Sequence, residues 1–401
     1  MSVAAVPTAP NPTLTNAPIV LIASLAFLLG GLALTELISL TQAILFLIGG
    51  LMGATLYHAS FGFTGGWRTF VREGRGTSIR AQMLMIGVAA IVFIPLIGLG
   101  EVNGQRLVGA FAPVGVSVIF GAALFGLGMQ LGGGCGSGTL FTVGGGSVRM
   151  LVTLAFFIIG ALLGTAHLPA WLALPALPPV NLGQALGVPF AILGTLVGLG
   201  AVAALTYVLE RRRHGSVATL VGSFRPGAAG WLHGPWPLAF GALALAALNI
   251  ATLLTAGHPW SITAGFGLWG AKTALALGIP VDQWQFWQVP AQARALNASV
   301  LADTTSVMDF GIMLGAALAA GLAGKFAPKA RLPLKSILAA VIGGLMMGYG
   351  ARLSFGCNIG ALFSGIASGS LHGWLWFACA FGGSLIGIKI RPYFFPEEKA
   401  K

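Results

Sequence analysis

Two short segments hold the residues best suited to chemistry. Leu131-Gly-Gly-Gly-Cys135-Gly-Ser-Gly-Thr-Leu140 and Leu353-Ser-Phe-Gly-Cys357-Asn-Ile-Gly-Ala-Leu362 each set one cysteine among glycines. A thiol is a polarisable sulfur and a weak S–H donor. The flanking glycines are Gly134, Gly136 and Gly138 in the first segment and Gly356 and Gly360 in the second, where Asn358 stands in place of Gly136. Glycine at these positions permits close backbone approach and a break in a helix. A helix that breaks and restarts presents free amides and a positive dipole end at its new N-terminus. Amides and a thiol together suit an anion, and a soft anion with terminal sulfur better than a hard oxyanion. The competing reading is two small buried cysteines in glycine-packed helices, because cysteine is among the most buried residue types.

The two segments are copies of one another. With residues 121–141 set against 343–363, identities fall at Gly121/Gly343, Gly126/Gly348, Gly128/Gly350, Leu131/Leu353, Gly134/Gly356, Cys135/Cys357, Gly138/Gly360, Leu140/Leu362 and Phe141/Phe363. A weaker echo links Phe61-Gly62 and Gly65 to Phe266-Gly267 and Gly270, in the same order along the chain. Two scarce cysteines in register favour the functional reading over packing. Tandem repeats of this kind are common among transporters.

The elements that must position these motifs are membrane helices. Only 7% of the 401 residues are charged and 56% are hydrophobic, whereas a soluble domain carries roughly 25% charged residues. A cytosolic enzyme, a nucleic-acid-binding domain and a disordered regulator are thereby excluded. At ~20 residues per span the length allows on the order of ten helices. Long apolar stretches lie near 19–38, 80–100, 113–131, 150–165, 188–209, 236–256, 306–325, 334–352 and 373–388. Shorter, glycine-rich pieces near 41–57, 61–71, 139–147, 262–279 and 360–368 suit broken or re-entrant helices. The fold class expected is an all-α polytopic membrane protein. It has an inverted-topology repeat, about nine long helices and short re-entrant helices. The expected organisation is a flexible tail over 1–18, a first half with a connecting helix over 19–209 and a basic linker over 210–235. A second half over 236–390 and a tail over 391–401 follow. Residues 168–189 read as an extended loop.

Charge placement gives the orientation. The net charge of +12 reflects Lys and Arg in cytoplasmic loops under the positive-inside rule. Arg68, Arg72, Arg75 and Arg80 put the start of 80–100 in the cytoplasm. Lys325, Lys329, Arg331 and Lys335 put the end of its partner 306–325 there. The halves are therefore inverted, with the N-terminus periplasmic and the C-terminus cytoplasmic. Such a repeat places a substrate route near the midplane. No positive n-region precedes the first apolar stretch, so no cleavable signal is expected.

Polar residues at membrane depth form a second group of candidates. Arg352 lies five residues before Cys357, and Gln130 five before Cys135. Lys272 falls in the second re-entrant piece and Arg68 in the first. Ser60 and His58 stand beside Gly62. Glu36, Asp303 and Asp309 offer proton or cation sites, but end positions on helices suffice to explain them, and Asp303 reads as an N-cap. Cys379 reads as packing. Trp67, Trp171, Trp260, Trp284, Trp287 and Tyr393 read as an aromatic belt at the membrane surfaces. The three cysteines show no CxxC and the histidines no metal spacing, so neither a metal nor a cofactor is expected.

The paired Gly-Cys-Gly-Ser-Gly and Gly-Cys-Asn-Ile-Gly segments, their glycine ladders and the inverted halves resemble the YeeE/YedE family of sulfur-transport membrane proteins. The resemblance covers roughly 19–390. It implies an importer of thiosulfate in the bacterial inner membrane, with helices and short re-entrant helices arranged as an hourglass around a cysteine-lined constriction. Cys135 and Cys357 match the family's two motif cysteines, which would relay the ion through hydrogen bonds without lasting covalent chemistry. Gly134, Gly136, Gly138, Gly356, Asn358, Gly360, Gln130, Arg352, Ser60, Gly62 and Lys272 would line the pathway. The resemblance also implies a small cytoplasmic sulfur carrier of the TusA type as partner. Family members often carry a third cysteine in the first re-entrant hairpin, where this chain reads Ser60-Phe-Gly62-Phe-Thr-Gly-Gly-Trp-Arg68. Two other readings follow from the residues: a membrane sulfurtransferase or thiol redox protein using Cys135 and Cys357, and an anion channel with structural cysteines. The missing CxxC, and the lack of a nearby base, argue against the enzyme.

Overall fold

The computed structural model describes residues 15–222, 227–326, 328 and 332–395. Most of the expected N-terminal tail, Arg225 of the linker, Lys329, Arg331 and the end of the C-terminal tail lie outside these residues. The chain is almost wholly helical. The first half consists of α1 (Ala17–Leu37), α2 (Leu40–His58), α3 (Phe63–Glu73), α4 (Thr77–Leu99), α5 (Val116–Gly132), α6 (Gly136–Gly144) and α7 (Val148–Leu172). The connecting helix α8 (Val188–His214) follows, and then α9 (Leu238–Ala256), α10 (Thr263–Ala276), α11 (Thr304–Leu322) and α12 (Leu334–Leu353) of the second half. It ends with α13, a π-helical turn Asn358–Phe363 running into Ser364–Ala367, and α14 (Leu371–Ile390). Two small antiparallel ribbons pair Glu101–Val102 with Gln105–Arg106 and Val114–Gly115 with Ala176–Leu177.

Ten helical segments among the described residues are long and apolar enough to cross a membrane, and the chain is a multi-pass membrane protein. Three of the ten are broken segments, α2 with α3, α5 with α6 and α12 with α13. The sequence suggests nine long stretches because 41–57 looks too glycine-rich to span. The helix there runs 19 residues. Its glycines dilute the apolar signal because they face a neighbouring backbone: a Cβ on Gly49 or Gly53 would strike Met308 or Ile312 of α11. Likewise the loop after α7 begins later than 168, because α7 continues to Leu172.

The helices pair with their partners exchanged between halves. Where α7 packs on α12, α14 packs on α5; where α2 packs on α11, α9 packs on α4; where α6 packs on α11, α13 packs on α4. The pairs α5 with α12 and α2 with α9 meet their own counterparts. This is the contact pattern of a pseudo-two-fold axis. α8 lies on α4 as α1 lies on α11. Both are largely lipid-facing, with little of their apolar windows buried.

The glycine ladders mark the crossings. A Cβ on Gly126 would meet the Ala380 carbonyl of α14, and one on Gly348, its repeat partner, would meet the Phe157 carbonyl of α7. Gly160 and Gly383 complete the same two crossings from the other side, against Leu345 and Ala123. Such contacts let helices approach backbone to backbone, as small residues do in membranes. They bring both broken helices to the centre of the fold.

Candidate functional site

Both cysteines occupy the same local structure. Helix α5 ends in Gly133 at φ 91°, and Cys135 then caps α6. Helix α12 ends through Phe355 at φ 59° and Gly356 at φ 149°, and Cys357 then caps α13. A Cβ on Gly356 would lie 2.7 Å from the Ala361 nitrogen, so the turn admits only glycine. Gly134 is equally hemmed in, with Met150 Cε 2.9 Å and the Gly138 carbonyl carbon 3.0 Å from a Cβ position. The Cys135 sulfur accepts from the Gly138 amide at 3.4 Å, and the Cys357 sulfur from the Ile359 amide at 3.4 Å. Ser137 Oγ is 3.4 Å from Cys135 Sγ. The two thiols are free and fully buried.

The two motifs meet. A Cβ on Gly136 would lie 3.0 Å from Cys357 Sγ and 3.4 Å from Ile262 Cγ2. Thus the first residue of α6 abuts the thiol that caps α13. The remaining broken helices reach the same place. The backbone of Phe63, first residue of α3, faces the Cys135 sulfur. Ile262, which precedes α10, touches Gly136, and Ser261 Oγ is 3.7 Å from a Cβ position on Gly360. Four helix N-termini therefore converge on the thiols, capped in turn by Gly62, Cys135, Ile262 and Cys357. Each contributes unpaired amides and the positive end of a dipole. Thiols and helix N-termini together have the chemistry that attracts an anion.

The other candidates divide. Asn358 is fully buried and neither atom of its amide has a hydrogen-bond partner among the described residues, which leaves a donor and an acceptor spare beside Cys357. Gln130 is fully buried and donates to the Thr64 carbonyl of α3 at 3.2 Å, with its oxygen left over. Arg352, its counterpart, lies against Gly267 of α10 and over the Phe286 ring at 4.9 Å. Each of these residues thus braces the re-entrant helix of its own half. Ser60 is exposed in the turn after α2, at φ 47°. Gly62 caps α3, and a Cβ there meets only the Ser60 carbonyl, at 4.0 Å. Lys272 lies apart from the thiols: its ammonium donates to the carbonyls of Leu296 and Ala298 at 2.6 Å each. Cys379 lies on α14 in an apolar surface groove with Phe120 and Leu127.

Three residues of the expected aromatic belt are core instead. Trp67 and Trp260 are fully buried and Trp287 nearly so. Trp67 donates to Gln82 at 3.0 Å. Asn249 accepts from the Trp260 amide at 2.8 Å and donates to Ser364 Oγ at 3.2 Å, while Ser364 donates to the Trp260 carbonyl at 2.8 Å. This closed network holds the segment before α10 against α13 and sets Ser261 and Ile262 in place. Sequence reasoning misses it, although a lone asparagine in the apolar helix 236–256 is the available signal. Among the described residues no group of three or more His, Cys, Asp or Glu side chains could hold a metal ion.

Comparison with known proteins gives a consistent set of relatives. The sequence model of a family described as sulphur transport matches residues 58–386, which include both cysteine motifs. A probable transporter, YedE, of Escherichia coli is 33% identical over 135 residues, 33% of this chain and 32% of that protein. The chain therefore spans about a third of the length of that relative. A protein named thiosulfate transporter TsuA, from Spirochaeta thermophila, is 26% identical over 358 residues, 82% of this chain and 92% of its own. The Escherichia coli protein of the same name is 24% identical over 331 residues, 82% of this chain and 88% of its own.

Proposed function

We propose, from the premise that the chain belongs to the sulphur transport family, that it imports thiosulfate or a closely related small sulfur anion across the bacterial inner membrane. The observation that carries this reading is the meeting of two buried, N-capping thiols, with Gly136 of one motif directly against Cys357 of the other. The names of the two full-length relatives support the substrate. In the bound state the terminal sulfur of the anion accepts from the thiols, and its oxygens face the amides at the starts of α3, α6, α10 and α13. The N-terminus would lie in the periplasm and the C-terminus in the cytoplasm, as the loop charges require. The anion moves by exchange of hydrogen bonds, so the thiols remain thiols and the protein is not an enzyme. On the strength of the family resemblance, a TusA-like carrier is the cytoplasmic acceptor we would look for first.

The reading is tested by uptake of sulfur-35 thiosulfate into vesicles containing the purified protein, with unlabelled thiosulfate and sulfate as competitors. Saturable uptake blocked by thiosulfate and little affected by sulfate is expected. Equal competition by sulfate, or no uptake, would remove the substrate assignment. A persulfide or disulfide on Cys135 or Cys357 after turnover, seen by mass spectrometry, would favour the sulfurtransferase reading instead.

A further inference from the structure

The two halves differ at one buried position where their backbones agree. Thr77 opens α4 and Thr304 opens α11, and at that offset Gln82 corresponds to Asp309. Both side chains lie against a glycine in the first turn of the neighbouring re-entrant helix. A Cβ on Gly66 of α3 would be 3.4 Å from Gln82 Nε2, and one on Gly265 of α10 would be 3.2 Å from Asp309 Oδ2. Gln82 is satisfied there: it accepts from Trp67 Nε1 at 3.0 Å and donates to the Gly62 carbonyl at 3.5 Å. Asp309 is fully buried, and neither of its oxygens has a partner among the described residues.

Asp309 lies near the start of α11, as the sequence suggests, and inside a segment long and apolar enough to cross a membrane. A lone carboxylate in such a setting is strongly disfavoured and is held as the neutral acid unless a cation or water reaches it. Among the described residues no cationic side chain hydrogen-bonds to it. Asp303, on the same helix, is acidic and engaged by Ser306. Lys272 of α10 is held by two carbonyls. α1 brings Glu36, α2 brings His58 at its far end, the short helix Ala228–His233 brings His233, and α6 brings no charged side chain. Gly265, beside Asp309, follows three residues after Ile262, whose side chain meets Gly136 where Gly136 abuts Cys357.

We propose that Asp309 is a proton-binding site that loads and unloads together with the anion, so that transport is coupled to proton entry. This rests on the reading of the chain as an importer of a sulfur dianion. With Asp309 neutral, the start of α10 and the Cys357 thiol face the dianion without a competing negative charge. With Asp309 ionised, that charge repels the dianion and favours its release. Proton and anion thus raise each other's affinity, as linked ligands must. One proton per dianion also cuts the charge carried inward from two negative to one. The first half, with Gln82, carries no equivalent site.

The test uses vesicles of the purified protein with a trapped pH indicator, sulfur-35 thiosulfate and imposed gradients. Wild type is expected to acidify the lumen on adding thiosulfate, and its accumulation to rise about tenfold per pH unit of inward proton gradient at fixed potential. Asp309→Asn is expected to lose both responses, and Asp309→Glu to keep them. Responses that survive in Asp309→Asn, or a wild type driven by a sodium gradient and indifferent to protons, overturn the proposal. An infrared titration reads the site without any substrate. Wild type should show a protonated-carboxyl band that Asp309→Asn lacks and Asp303→Asn retains, and an unchanged spectrum in Asp309→Asn overturns the assignment. Should wild-type vesicles carry no thiosulfate, the substrate reading fails and the infrared result alone decides the proton site.

Discussion

Replacing Cys357 with alanine is expected to lower thiosulfate uptake by about tenfold to a hundredfold, the loss of one hydrogen bond to a charged group worth roughly 1.5–3 kcal/mol. The protein itself should remain folded. Removing one small buried group costs on the order of 1 kcal/mol, and the Cys357 sulfur accepts a long, 3.4 Å hydrogen bond from the Ile359 amide of its own cap. Cys135→Ala should behave alike, since Cys135 caps α6 in the same way. Cys357→Ser is the finer probe. A hydroxyl is a harder donor than a thiol, so the variant is expected to lose preference for terminal sulfur and become sensitive to sulfate. Uptake measured against protein recovered from the membrane separates these outcomes from loss of folding. Full transport in both alanine variants would reduce the thiols to packing residues.

The second large effect is expected at Gly136. It is where the first motif touches the second thiol, with a Cβ at 3.0 Å from Cys357 Sγ and 3.4 Å from Ile262 Cγ2. In an ordinary helix, glycine to alanine would gain up to ~1 kcal/mol. Here the methyl must displace either the thiol or the cap of α10. Gly136→Ala is expected to lower uptake at least severalfold and Gly136→Val to abolish it, at a stability cost of about 1–3 kcal/mol from overpacking. Gly138→Ala serves as the control, because its Cβ would meet Cys135 Sγ at an ordinary 3.5 Å. Equal uptake in Gly136→Val and Gly138→Ala would mean that the junction of the motifs is not on the route. The repeat sharpens the contrast, since Asn358 already carries a side chain where the first half has Gly136.

How much of this is legible in the sequence depends on the kind of signal. The broken helices can be read directly, because a run of glycines inside an apolar stretch raises the conformational entropy that helix formation must overcome and frees the backbone to turn. The repeat can be read because glycine at a backbone crossing cannot be replaced: Gly126 and Gly348 recur because each faces a carbonyl of the opposite half. The same packing misleads at 41–57, where glycines look like a short segment and instead mark the crossing of α2 with α11. Lys272 stands out by its charge, yet its ammonium is spent on two loop carbonyls. Trp67 and Trp260 look like membrane-surface residues by type, while Gln82 and Asn249, each more than ten residues away, hold them in the core. Asp309 is legible by type as a proton or cation site or a helix-end residue, but sequence cannot show that its carboxylate lacks a partner among the described residues. Contacts made between separate elements are what local pattern does not carry.

The most direct measurement is to locate the anion itself. Selenosulfate, in which selenium takes the place of the terminal sulfur, can be placed by anomalous scattering in crystals of the wild-type protein. The account predicts a selenium peak at the junction of Cys135 and Cys357, among the starts of α3, α6, α10 and α13. A peak confined to the cavity lined by Tyr57, Phe141 and Arg149, with none at the thiols, would contradict it.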